Sequence, residues 1–210
     1  MTVNPELQKN GLLLEQFTET RNRTLELVKN LEKDDFVVQT AAYMSPPKWH
    51  IGHVSWIYEA IMSKIDKNYE FYSKELSEYL NSYYQQFGVP HDKALRGITS
   101  RPTIDEIFQY FNTINQKIEK FLESREFTEE EKKLLVTGFH HECQHQELLV
   151  YDLQHLLAEQ YQPVRKNKIQ VQQQKKKEFV NIKGGIYTMG YNGKNYWLQD
   201  FTMNVNIKSY

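Results

Sequence analysis

Two segments of this chain open with a threonine followed three residues later by a glutamate, Thr103-x-x-Glu106 and Thr128-x-x-Glu131. In such a capping box the two side chains satisfy each other's orphan backbone N–H groups, so each pair marks a helix start. After Thr103, apolar residues recur at helical spacing through Ile104, Ile107, Phe108, Phe111, Ile114, Ile118 and Phe121, to about Glu123. After Thr128 the period holds to about Glu159. A one-sided apolar stripe of that length must be buried against other helices. Two more patterns supply them. One runs from about Pro5 to Leu31, with Leu12, Leu13, Phe17, Leu25, Leu27, Val28 and Leu31 on its apolar positions. The other starts near Ser45-Pro46-Pro47 and continues through Trp56, Ile57 and Ile61. Ser45 is placed to cap it, and proline suits a first turn. A shorter aromatic helix, Tyr72 to Phe87, bridges the second and third. With no strand signal between them, these patterns predict a mainly α fold, a four-helix bundle.

Composition narrows the function. The chain is 40% hydrophobic and 25% charged, enough apolar residues for a packed core. A formal net charge of −1 argues against nucleic acid as the main partner. No apolar run approaches the ~18 residues that span a bilayer, and the polar start MTVNPELQKNG lacks a signal-peptide core. Cys143 is the only cysteine, which excludes an intramolecular disulfide and suits a reducing compartment. The expectation is a soluble cytoplasmic protein without a membrane partner.

The character changes after Tyr161. Residues 162–177 hold six Lys/Arg and no acid, among glutamines, and read as a solvated linker. From Glu178 on, Phe179, Ile182, Ile186, Tyr187 and Met189 around Gly184-Gly185 predict two short strands with a turn between them. Residues 178–210 are too few to bury a core. The expected organisation is a helical bundle over 1–161, a linker over 162–177, and over 178–210 the start of a second domain.

Five of the seven histidines lie in two short segments, Trp49-His50-Ile51-Gly52-His53 and His140-His141-Glu142-Cys143-Gln144-His145. His141 and His145 are four apart on a helix, which places them on one face roughly 6 Å apart, within reach of one metal ion. His50 and His53 are three apart on another helix, so at least one can face the bundle interior. Gly52 and Gly138 remove side chains beside the two patches and allow close helix approach, at about 1 kcal/mol of helix propensity each.

His141-Glu142-x-x-His145 also spells the H-E-x-x-H of zinc peptidases, with Glu142 as general base. The surroundings argue against it. A third histidine six residues on would complete one peptidase class, but Tyr151 stands there. A glutamate on a following helix would complete another, but the downstream candidates are Glu147 and Glu159 on the same helix and Glu178 beyond the linker. No strand precedes the motif to bind a peptide. Glu142 lies about 100° around the helix from His141, where it is expected either to support the ligands from behind or to form a salt bridge. Cys143 lies about 200° away and is expected to be a core thiol. His155 shares the face but sits about 15 Å along the axis from His145, too far to join a site.

The segments SPPKWHIGHVSWIYEA (45–60), NSYYQQFG (81–88), LRGITSRPTIDEI (95–107) and HHECQHQELLVYDLQH (140–155) resemble the N-terminal DinB-type domain of the sulfoxide synthases of ergothioneine biosynthesis and of the related ovothiol enzymes. FVNIKGGIYTMG (179–190) resembles the start of their second, formylglycine-generating-enzyme-like domain. The combination of W-H-x-x-H, H-x-x-x-H-Q-E and G-G-x-Y-x-M-G in that order carries the resemblance.

The resemblance implies a mononuclear non-haem Fe(2+) site held by His53, His141 and His145, with His50 a neighbour and not a ligand. It implies that Gln144 contacts the betaine of histidine, and that Lys93 and Arg96, at the family's R-x-x-R-G, meet the carboxylates of a small-molecule thiol. Lysine in place of the first arginine cannot make the bidentate fork. It implies oxidative joining of the thiol to trimethylhistidine as a sulfoxide. Three neutral imidazoles leave the metal its full charge, which favours an anionic thiolate. No catalytic residue is assigned, because the family's catalytic tyrosine belongs to the second domain. After Gly190 the chain departs from the family pattern D-N-E-x-P-x-H, keeping only Asp200. An incomplete form, inactive by itself or completed by a separate chain carrying the rest of that domain, is the corresponding expectation. The competing readings are a metal-dependent thiol transferase of the wider DinB superfamily and a non-catalytic remnant of the fold.

Overall fold

The computed structural model describes residues 7–82, 91–160, 181–189 and 203–207. The chain divides into two compact units, 1–164 and 165–210.

The first unit is helical: α1 Leu7–Val28, α2 Pro47–Ile65, α3 Lys74–Leu80, α4 Ile104–Ser124 and α5 Glu129–Ala158. Both capping boxes form as the sequence dictates. Thr103 accepts from the Glu106 N–H while Glu106 accepts from the Thr103 N–H, and Thr128 and Glu131 do the same. Ser73 caps α3 by accepting from the Leu76 N–H. Ser45 does not cap α2. Pro46 occupies that position, and the Ser45 hydroxyl instead accepts from Arg96 at 2.9 Å. The aromatic helix expected to reach Phe87 stops at Leu80, where Asn81 turns extended; residues 83–90 lie outside those described.

α2 packs on α4 and α5, and α1 packs on the same two helices. The bundle is therefore a square with α1 diagonal to α2 and α4 diagonal to α5. Ile104, Ile107, Phe111, Ile114 and Ile118 of α4 are buried as read from the sequence, while Phe108 and Phe121 are half-buried and Tyr110 and Leu122, outside that reading, are buried. Leu13, Phe17 and Val28 of α1 are buried too, while Leu12 faces solvent. Every residue of α2 from Pro47 to Met62 is buried, so this helix is the central one.

Two glycines set how closely α2 is approached. A Cβ on Gly52 would lie 2.6 Å from Leu80 Cδ2, and one on Gly138 would lie 2.7 Å from Ile61 Cδ1. Their missing side chains let α3 and α5 close onto α2.

At the centre, Arg21 of α1 reaches all three other long helices. Its Nε donates to Asn115 of α4 at 2.7 Å, one terminal nitrogen to Glu142 of α5 at 3.1 Å, and the other to Ser55 of α2 at 2.8 Å. The guanidinium lies 3.5 Å from the Phe111 ring centroid. Glu142 also accepts from the Thr24 hydroxyl at 2.5 Å and the Tyr58 hydroxyl at 2.9 Å. Both charges are buried, at 2% and 0% exposure.

In the second unit, β1 Gly185–Met189 pairs antiparallel with β2 Met203–Ile207, Tyr187 opposite Val205. The strand expected before Gly184 does not form over residues 181–184. Asn181-Ile182-Lys183 offers one apolar residue there, whereas Met203, Val205 and Ile207 alternate with asparagines and supply the period-two partner. The expected linker, 162–177, lies outside the described residues. Among the described residues no helix is long and apolar enough to cross a membrane.

Removing one partner of a buried ion pair strands the other charge. Glu142→Ala is expected to cost about 3–5 kcal/mol of unfolding free energy in urea denaturation. Glu142→Gln, which keeps volume and acceptor, should cost clearly less.

Candidate metal centre

His53 arises from α2, and His141 and His145 lie one turn apart on α5. The approach permitted by Gly138 brings the two helices together, and one nitrogen from each ring lies within 4.8 Å of the others. The ring centroids are 4.6 Å apart for His141–His145 and His53–His145, and 5.0 Å for His53–His141.

Each ring is held by its surroundings. His53 Nδ1 sits 2.6 Å from the carbonyl of Leu80, the last residue of α3. A helix C-terminus leaves its last carbonyls without intrahelical donors, so Leu80 is a natural acceptor. That contact places the His53 proton on Nδ1 and leaves Nε2 with its lone pair. His53 Nε2 and His141 Nδ1 are buried without a hydrogen-bond partner. Trp49 stacks on His53 at 4.4 Å with the planes 13° apart, and the Arg96 guanidinium covers the tryptophan at 3.3 Å from its ring.

The electrostatics keep these imidazoles neutral. Burial first, then the neighbouring His141, drives His53 far below the ordinary imidazole range. Burial alone holds His141 at about 4. His145 is driven far down by burial and then by His53 and His50. A metal competes with protons for the same lone pair, so buried neutral rings need lose no proton to bind one. Convergent lone pairs without donors are costly to bury and are the donor set a divalent transition metal takes. The cluster therefore fits a metal ion.

The other sequence candidates fall in different places. Arg96 is buried against Trp49 and bonded to Ser45, beside the cluster. Lys93 and Gln144 are exposed. His155 is bonded to Thr40 and does not join the cluster. Cys143, expected in the core, is exposed. In a square bundle α5 buries only the faces toward α1 and α2, and Cys143 falls on the third. Glu142 has its three donors in the bundle centre and is not a free base.

One residue beside the cluster escaped the sequence reading. Asp152 accepts from His50 at 2.9 Å, and His50 meets His145 at 3.0 Å. The signal was present: Asp152 lies seven residues after His145, two helical turns along the same face.

The sequence pattern of the DinB superfamily matches residues 16–149. The chain belongs to the DinB superfamily. That match spans the bundle from α1 through most of α5 and includes the three clustered histidines. DinB domains are metal-dependent in general, which agrees with the donor set found here. A comparison with curated proteins finds no match.

Alanine at His53, His141 or His145 is expected to abolish 1:1 metal uptake measured by equilibrium dialysis and elemental analysis. His155→Ala and Glu142→Gln should leave it intact. Loss of the metal in His155→Ala would contradict the geometry. Casein cleavage that vanishes in Glu142→Gln would restore the peptidase.

Proposed function

We propose that this chain is an iron(II)-dependent, oxygen-using sulfoxide synthase of the ergothioneine type, or its metal-binding part. The carrying observation is the cluster of three neutral imidazoles, His53 buried and His141 and His145 half-buried, with no carboxylate among them. His53, His141 and His145 would hold Fe(2+), which would supply dioxygen activation and a coordination position for a thiolate. The overall step joins the sulfur of a cysteine-type thiol to the imidazole carbon of trimethylhistidine. The S–H and C–H bonds break, C–S and S–O bonds form, and dioxygen is reduced, one oxygen ending on sulfur and the other in water.

The chain's own residues have parts in this reading. The Leu80 carbonyl holds the His53 ring with its free nitrogen toward the cluster. Arg96 places a permanent positive charge next to Trp49 and the rings, where it draws an anionic thiol. Lys93, exposed three residues earlier, meets a substrate carboxylate as a point charge, not as a fork. Gln144, exposed beside His145, contacts the betaine.

The superfamily match favours a coarser second reading, a metal-dependent thiol transferase on the same bundle. Oxygen separates the two. Combined with a separately expressed formylglycine-generating-enzyme-like domain, the Fe(II)-loaded chain is expected to consume oxygen only when both a thiol and trimethylhistidine are present, with the sulfoxide seen by mass spectrometry; alone it is expected to bind iron and make no sulfoxide. Thiol conjugation without oxygen uptake would establish the transferase. Metal binding with neither reaction even in that mixture would refute the synthase proposal for this chain.

A further inference from the structure

Both nitrogens of His50 are committed. Its Nε2 lies 2.9 Å from Asp152 Oδ2, and its Nδ1 lies 3.0 Å from His145 Nδ1. The same carboxylate oxygen accepts the backbone N–H of Ser45 at 3.0 Å. An oxygen that already accepts one N–H is an acceptor for the second, so His50 carries its proton on Nε2 and donates it to Asp152. His50 Nδ1 is then a lone pair. A 3.0 Å contact between two ring nitrogens needs one donor and one acceptor, which puts the proton of His145 on Nδ1. The free lone pair of His145 is therefore on Nε2.

We infer that Asp152 and His50 form a two-step hydrogen-bond relay that fixes the tautomer and ring orientation of His145 and so sets the metal affinity of the cluster. This rests on the metal-binding reading of His53, His141 and His145. His50 and Asp152 are positioning residues, acting through His145. A histidine ligand commonly donates its second ring N–H to a carboxylate or carbonyl. His53 does so to Leu80. For His145 the carboxylate is one imidazole away, and the relay crosses from α5 to α2 and back to α5. It also removes His50 from the donor set, because neither of its nitrogens is free.

The relay ties the cluster to the entry of α2. Ser45, whose N–H meets Asp152, accepts through its hydroxyl from Arg96, and Arg96 covers Trp49, which stacks on His53. Two of the three clustered rings are thereby steadied from one hub at residues 45–53.

The test uses the full chain and Co(II) as the probe. His50→Phe keeps the ring volume and removes the acceptor. It is expected to weaken Co(II) binding roughly 10- to 100-fold, the usual cost of losing such a partner, while the limiting stoichiometry stays 1:1. Asp152→Asn keeps an acceptor oxygen and should weaken binding less. Long-range proton–nitrogen NMR of the metal-free wild type should find His145 protonated on Nδ1 and His50 on Nε2. In His50→Phe the tautomers of His145 should mix, which a merely structural role would not produce. Unchanged Co(II) affinity in His50→Phe, or His145 protonated on Nε2 in the wild type, would overturn the relay. A wild-type chain that takes up no Co(II) would instead bring down the metal reading itself. Because the NMR result needs no variant, it decides the relay even if a substitution disturbs folding.

Discussion

One guanidinium holds the bundle in register. Arg21 spends its donors on Asn115, Glu142 and Ser55, one residue from each of the other long helices. Sliding any helix by one turn, about 5.4 Å, would leave at least one buried polar group unpaired. Taking an arginine and a glutamate out of water is expensive, and their mutual attraction repays it only when the remaining hydrogen-bonding capacity is met. Here Thr24 and Tyr58 complete Glu142. The arrangement thus selects one alignment of α5 against α2. Because His141 flanks Glu142 and His53 lies close to Ser55, that alignment also brings the three imidazoles together.

The central helix shows the same accounting at larger scale. α2 is buried throughout Pro47–Met62 yet carries Lys48, His50, His53, Ser55, Tyr58 and Glu59. Lys48 finds the Thr99 carbonyl, His50 finds Asp152, and Ser55 and Tyr58 join the Arg21–Glu142 network. Glu59 accepts from Tyr69, Tyr110 and the Tyr72 N–H. Two polar atoms of this helix remain over, Trp49 Nε1 and His53 Nε2. The second is a lone pair among two other imidazoles. Beside two other imidazoles, that bare nitrogen is one of three donors that could hold a metal ion.

Much of this was legible locally. Capping boxes, apolar period and the i,i+4 histidine pair are short-range patterns, and the structure reproduces them. Gly52 and Gly138 pointed to close helix approach, which their missing side chains allow. What escaped was long-range. Arg21 reads as one polar residue in an amphipathic helix, and its partner is 121 residues away. Ser45 looks like a helix cap because capping is the local use of a serine; Arg96, 51 residues on, claims its hydroxyl instead. Cys143 was misplaced because helical angle gives direction around an axis but not which neighbours fill it. The β hairpin failed similarly: Gly184-Gly185 suggested a local turn, while the paired strand comes from Met203–Ile207.

The fate of the H-E-x-x-H motif follows from helix geometry rather than from its letters. Adjacent residues on a helix are about 100° apart, so the glutamate and the two histidines cannot all present to one point unless the site lies between their faces. In a peptidase the site opens over that boundary and the glutamate meets water there. In this bundle the boundary is closed by α1. Arg21 and Thr24 take the glutamate inward, and α2 meets the histidines on the neighbouring face. The motif is divided between a structural network and a candidate metal centre, separated by one residue of sequence and one helix face. A base for hydrolysis would have to leave a buried ion pair and two hydroxyl donors. The same five-residue motif is therefore compatible with a different chemistry, and the third histidine of the cluster is His53 from a neighbouring helix.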